Sequence, residues 1–158
     1  MRLPRDQRRR GSTEGKRYAD RKRTALARPA RDPDGRPVPM IDIHGTSDPE
    51  VPYRGGGSWV APSHKGFPNQ LTWAANWAQR NRCAPTPRDT VIAADVTRRA
   101  YTNCANNADV QLYTVLGGGH TWPGGGPHPE WLVARTSHSI DASSLMWAFF
   151  REHPLTRK

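Results

Sequence analysis

Val110-Gln111-Leu112-Tyr113-Thr114-Val115-Leu116-Gly117-Gly118-Gly119-His120-Thr121-Trp122-Pro123-Gly124-Gly125 joins a run of β-branched and aromatic residues to a glycine-rich loop that carries one imidazole. The first six residues have the composition of a strand, and the glycines break it sharply. A histidine so placed suits a catalytic base. Its ordinary pKa of about 6.5 lets it exchange a proton near neutrality, and neighbours without side chains let a substrate approach the ring. The plainer alternative is a tight turn with a surface histidine, so the case depends on what else the chain supplies.

A second strand-and-break lies upstream. Val38 to His44 reads as a short buried strand, and Gly45-Thr46-Ser47-Asp48-Pro49 ends it. Asp48 therefore falls just past the carboxyl end of one strand, as His120 falls just past another. Ligands and catalytic groups of open α/β sheets gather at that edge, so the two can meet although 72 positions separate them. The carboxylate would accept from Nδ1–H, fix the tautomer and stabilise the imidazolium formed when Nε2 takes a proton. Alternatively, Asp48 closes an Asx turn before Pro49.

Between and after these strands the spacing predicts two helices. Asn69 to Cys83 places Leu71, Ala74, Ala75 and Ala78 at helical intervals, with Trp73 and Trp77 four residues apart. These tryptophans read as core. Asp141 to His153 puts Leu145, Met146, Phe149 and Phe150 on one face, with Ser139 or Asp141 available as cap. Val96 to Tyr101 reads as a strand that turns through Asn103-Cys104-Ala105-Asn106-Asn107 into Val110 to Val115. There is no internal repeat.

Charge is concentrated at one end. The 158 residues carry a formal net charge of +10, yet residues 1–39 hold 13 Lys and Arg against 5 Asp and Glu, leaving net +2 for the remainder. Residues 1–35 form a basic tail with one aromatic residue, Tyr18, and no apolar periodicity. It cannot bury a core and reads as disordered, and its Arg-, Pro-, Ala- and Gly-rich text is also what a wrong start or a shifted frame yields in GC-rich DNA. A basic arm suggests a phosphate backbone, but without interleaved aromatics or a groove-reading element nucleic acid is not the expected partner. No membrane is expected either, because no run approaches the ~20 apolar residues of a span. Met1 is followed by charge where a secretion signal has its apolar stretch. Cys83 and Cys104, the two cysteines, flank a polar, proline-containing segment, which suggests a disulfide formed in an oxidising compartment; two unpaired thiols is the other reading.

Pro37-Val38-Pro39-Met40-Ile41-Asp42-Ile43-His44-Gly45-Thr46-Ser47-Asp48, then Val51-Pro52-Tyr53, Gly118 through Gly125, and Ile140-Asp141-Ala142 through Phe149-Phe150 together resemble the C-terminal half of the esterase family that contains polyhydroxybutyrate depolymerases and feruloyl esterases. The resemblance covers about residues 36–154, and the domain it marks is residues 36–158. It implies an α/β fold, here the C-terminal portion of an α/β-hydrolase with an incomplete sheet and flanking helices. It also implies an extracellular enzyme without a cofactor or metal, a Ser-Asp-His triad with Asp48 as acid and His120 as base, and a Cys83–Cys104 disulfide. Trp122 would line the substrate cleft, and Tyr53 is a further candidate for holding a polyester or aryl ester substrate.

One departure is plain. The family carries its nucleophile in a Gly-x-Ser-x-Gly elbow ahead of the acid, and no such motif occurs in these 158 residues. Ser47, Ser58 and Ser63 lie nearest the acid, but none has a strand–turn–helix frame. The expectation is a chain inactive by itself, completed by a partner chain that supplies the N-terminal half with its serine and oxyanion hole. Two other functions compete: a noncatalytic ester- or polymer-binding remnant using Trp122, Trp131 and Tyr53, and a metal protein using His44, Asp48, His120 and His128, whose spacing fits no standard zinc frame. His44 itself, at a strand end, reads as structural, bonding across the turn, and His128 and His138 as exposed or hydrogen-bonded rather than catalytic.

Overall fold

A computed structural model describes residues 35–58 and 66–154. The basic tail, apart from Gly35, lies outside these residues, as does Ser63. Strand β1 is Met40–Gly45, helix α1 Gln70–Arg80, β2 Arg88–Ala93, β3 Val96–Tyr101 and β4 Val110–Val115. A single helical turn, α2 (Glu130–Val133), and the longer α3 (Ala142–Glu152) follow. The strands form one sheet in the order β1-β4-β3-β2, in which β1 and β4 run parallel and the other pairs antiparallel.

Side-chain alternation along β4 builds a core on each face. Val110 and Leu112 point to one side, where Met40, Tyr101 and the Ala74 and Ala78 stripe of α1 cover them. Tyr113 and Val115 point to the other, against Val96, Ile41, Ile43 and, from the α3 side, Ile140 and Leu145. The sheet is thus apolar on both faces, with a helix on each.

Several sequence boundaries shift for identifiable reasons. Helix α1 starts just after Asn69, the first residue of the expected span, which serves as its cap: the Asn69 side chain accepts from the Leu71 and Thr72 amides. It stops at Arg80, short of Cys83. Arg82 takes φ 55°, and the amides of Arg82 and Cys83 close back onto the Gln79 and Ala78 carbonyls, a left-handed terminus that the alanine spacing does not reveal. Strand β1 begins two residues late because Val38 is engaged elsewhere: its N–H and C=O both bond the buried side chain of Asn81. The turn before β4 contains a short 3₁₀ segment, Ala105–Asn107. Of the two cap candidates for α3, Asp141 accepts from Ser144, while Ser139 lies upstream.

Two expectations are corrected. The spacing groups Phe150 with Leu145, Met146 and Phe149 on one face of α3, but Phe150 is 48 % exposed, because Phe149 takes the buried position and the next residue turns about 100° away from it. Arg88–Ala93 is a strand where the sequence suggested none; it is a polar edge strand, paired to β3 and reinforced by an Asp89–Arg99 ion pair across the register. Cys83 and Cys104 are disulfide-bonded, which ties the exit of α1 to the segment after β3.

Candidate active site

The parallel pairing of β1 and β4 sets Gly45 opposite Val115, so the loops leaving the two strands emerge side by side. They interlock through backbone bonds: the Thr46 amide donates to the Val115 carbonyl, the Ser47 amide to Gly118, and the Gly117 amide to the Thr46 hydroxyl. A Cβ at Gly45 would run into the Gly118 carbonyl, and one at Gly119 into the carbonyl of Val133. Close approach of three segments, more than turn chemistry, therefore explains the glycines around His120.

At this junction Asp48 is nearly buried, with its side chain 5 % exposed, while His120 is 45 % exposed. Oδ2 of Asp48 lies 2.9 Å from Nδ1 of His120. Its Oδ1 accepts from the Glu50 and Val51 amides, both at 2.8 Å. The Asx turn considered as an alternative and the acid–imidazole pair thus coexist, one on each carboxylate oxygen. A carboxylate fixed in this way orients the imidazole, makes Nδ1 the protonated nitrogen of the neutral ring and leaves Nε2 as the accepting one. Nε2 faces outward, 3.5 Å from the Glu50 carboxylate. Glu50 carried no signal in the sequence beyond its position two residues after Asp48.

His44 is a second imidazole on the same carboxylate. Its Nε2 is 2.8 Å from the Val51 carbonyl, to which it donates, and 3.4 Å from Asp48 Oδ2. It bonds across the turn as the sequence reading expected. Tyr53 packs edge-on against it, ring centroids 5.8 Å apart, and shares a hydrogen bond of 2.6 Å with Thr114. The Tyr53 hydroxyl is thereby engaged inside the chain. Asp42, two residues before His44 on the same side of β1, is half-buried; burial raises its carboxyl pKa, while the neighbouring His44 charge and the Ile43 N–H offset part of the rise.

Trp122 lies two residues past His120, 48 % exposed, with its indole N–H donated to Ser143 of α3. Trp131, on α2, is 84 % exposed. The His120 loop is anchored to the end of α2 and the segment after it, since the His120 amide donates to Val133 and the Gly119 amide to Arg135. Ser47 is exposed, and Ser58 is buried with its hydroxyl directed to the Pro49 carbonyl at 3.4 Å. For the metal alternative, the structure brings His44, Asp48 and His120 together but leaves His128 exposed. Among the described residues no group of three or more His, Cys, Asp or Glu is set to hold a metal ion. No described helix is long and apolar enough to cross a membrane.

Comparison with known proteins gives one informative match. The chain is 35 % identical over 89 residues to feruloyl esterase B of Piromyces equi, a match that takes in 54 % of this chain and 16 % of that protein. No family model matches the chain.

Proposed function

We propose that this chain carries the acid and base of a serine carboxylic ester hydrolase of the polyhydroxybutyrate depolymerase and feruloyl esterase type, on the C-terminal portion of an α/β-hydrolase fold. The observation that carries this reading is the Asp48–His120 pair: a nearly buried carboxylate held by two backbone amides, bonded at 2.9 Å to a 45 % exposed imidazole whose other nitrogen has Glu50 as its neighbour. The partial match to feruloyl esterase B supports the reaction class. The disulfide suits an extracellular enzyme.

In the proposed reaction, His120 Nε2 accepts the proton of a serine hydroxyl as it attacks the ester carbonyl, and Asp48 stabilises the resulting imidazolium. The imidazolium then returns the proton to the leaving alkoxide, and the acyl-enzyme is hydrolysed by water with the same base. The serine and the oxyanion hole come from outside these 158 residues. Glu50 occupies the solvent side of Nε2 and must turn away when the serine approaches.

The test is hydrolysis of p-nitrophenyl butyrate. The chain alone should give no turnover above its His120→Ala variant. Mixed with a chain that bears the Gly-x-Ser-x-Gly half of such an esterase, it should hydrolyse the ester, and Asp48→Asn should lower that rate by about 10⁴-fold through the wrong tautomer. Full activity in Asp48→Asn, or His120-dependent turnover by the chain alone, would overturn the proposal. A second reading, a noncatalytic polymer-binding module, is favoured by the exposure of Trp131, Trp147 and Trp122, at 84 %, 71 % and 48 %. Retention on a polyester film with no turnover in the mixture is its signature.

A further inference from the structure

The two carboxylate oxygens of Asp48 offer about four acceptor positions, and four N–H groups converge on them. The Glu50 and Val51 amides donate to Oδ1 at 2.8 Å each, and His120 Nδ1 lies 2.9 Å from Oδ2. The fourth belongs to His44, whose Nε2 stands 3.4 Å from the same Oδ2 and 2.8 Å from the Val51 carbonyl. Both neighbours of that nitrogen are acceptors, so it has to bear the proton; a lone pair there would face a carbonyl and a carboxylate at once. The His44 N–H is therefore divided between the turn and the acid, with the shorter branch to Val51. Val51 is held at both ends, its N–H by Asp48 and its C=O by His44.

The His44 ring is itself fixed. Its residue pairs with Thr114 across β1 and β4, and the Tyr53 hydroxyl bonds Thr114 at 2.6 Å while the Tyr53 ring meets the imidazole edge-on. The His44 and Asp48 side chains are both nearly buried, so water has little room to replace the N–H if it is removed.

We propose that His44 is a positioning residue for His120: its Nε2–H, shared between Val51 and Asp48, holds Oδ2 in line with His120 Nδ1 and so selects the His120 tautomer whose Nε2 is free to accept a proton. His44 acts through Asp48 and touches no reactant. Without this donor the carboxylate rests on its Oδ1 bonds, and Oδ2 can swing off the line to His120. The use of that tautomer as a base rests on the esterase reading above, whereas the coupling of the two imidazoles does not.

The tautomers are read in the full chain from the ring-nitrogen shifts in long-range ¹H–¹⁵N NMR, at a pH where both rings are neutral. His44 should be in the Nε2–H form and His120 predominantly in the Nδ1–H form. His44→Leu should lower the ratio of Nδ1–H to Nε2–H His120 about tenfold, the weight of one hydrogen bond to a charged group. His44→Gln, whose amide nitrogen reaches the place of Nε2, should restore most of that ratio. A residue that merely closed the turn would leave it unmoved. A His44 ring in the Nδ1–H form would overturn the proposal without any variant having to fold, and so would a His44→Leu chain with an unchanged His120 ratio. The expected tautomers in a chain that gives no esterase with the serine-bearing half would count against the esterase reading alone.

Discussion

Asp95, in the turn between β2 and β3, shows how far the support of His120 extends from the loop itself. Its Oδ2 accepts from Arg135 Nη2 and from the Ser137 hydroxyl, both at 2.9 Å, while its backbone carbonyl accepts the Leu116 amide at 2.8 Å. Arg135 in turn donates to the Leu116 carbonyl, and its own carbonyl receives the Gly119 amide. One ion pair thus clamps both ends of the turn that precedes His120. Hydrogen bonds from Ser139, Arg135 and Ser137 hold the Asp95 carboxyl well below the usual carboxylate range. A carboxylate depressed in the folded state contributes stability that is complete above its unfolded pKa, about 3.9, and is lost as pH falls toward the folded value. Asp95→Asn should therefore lower the melting temperature at pH 7, and the gap to the unmodified chain should shrink steadily between about pH 4 and pH 2. A gap that stays constant across that range, read by circular dichroism melts, would show that the charge of Asp95 contributes nothing.

Among the elements, those whose signal is local were legible and those set by distant contacts were not. The ranges of β3 and β4 follow directly from Val96 to Tyr101 and Val110 to Val115, because their β-branched and aromatic residues alternate across a sheet with two covered faces. β2 escaped notice because Arg88-Asp89-Thr90-Val91-Ile92-Ala93 is an exposed edge, where no burial periodicity exists to be read. The Asp48–His120 pair was legible as two strand-end residues, but its second imidazole, its Glu50 neighbour and the Asp95–Arg135 clamp are tertiary facts with no local signature. Asn81 is of the same kind. Fully buried at the end of α1, it accepts from the Val38 amide and donates to the carbonyls of Val38 and Ala108, so it fastens a helix to the approaches of both β1 and β4. Asn81→Ala strands three backbone groups and should cost roughly 2–4 kcal/mol in urea unfolding. A loss below about 0.5 kcal/mol, the range of ordinary surface changes, would mean that these segments are held together by packing alone.

At the scale of the whole molecule, β1 presents a contradiction that points outside the described residues. A parallel strand with apolar residues on both faces belongs in the interior of a sheet, and Met40, Ile41 and Ile43 pack against the cores on either side. Yet β1 closes the sheet order at one end, with β4 as its neighbour among the described strands. Among the described residues no strand pairs its other edge, and α3 turns Trp147, 71 % exposed, and Phe150 away from the core. Such surfaces recruit partners. By itself the chain should show concentration-dependent association in sedimentation velocity, and Trp147→Glu combined with Phe150→Glu should weaken the part that runs through the helix while leaving edge pairing in place. Adding the serine-bearing half should replace both by a one-to-one complex, because a strand docked on β1 would cover the edge and carry its serine toward the carboxyl ends of β1 and β4, where His120 waits. A chain that sediments as a monomer at every concentration, and ignores that half, would mean that β1 is stable as an edge and that the acid–base pair serves some other reactant.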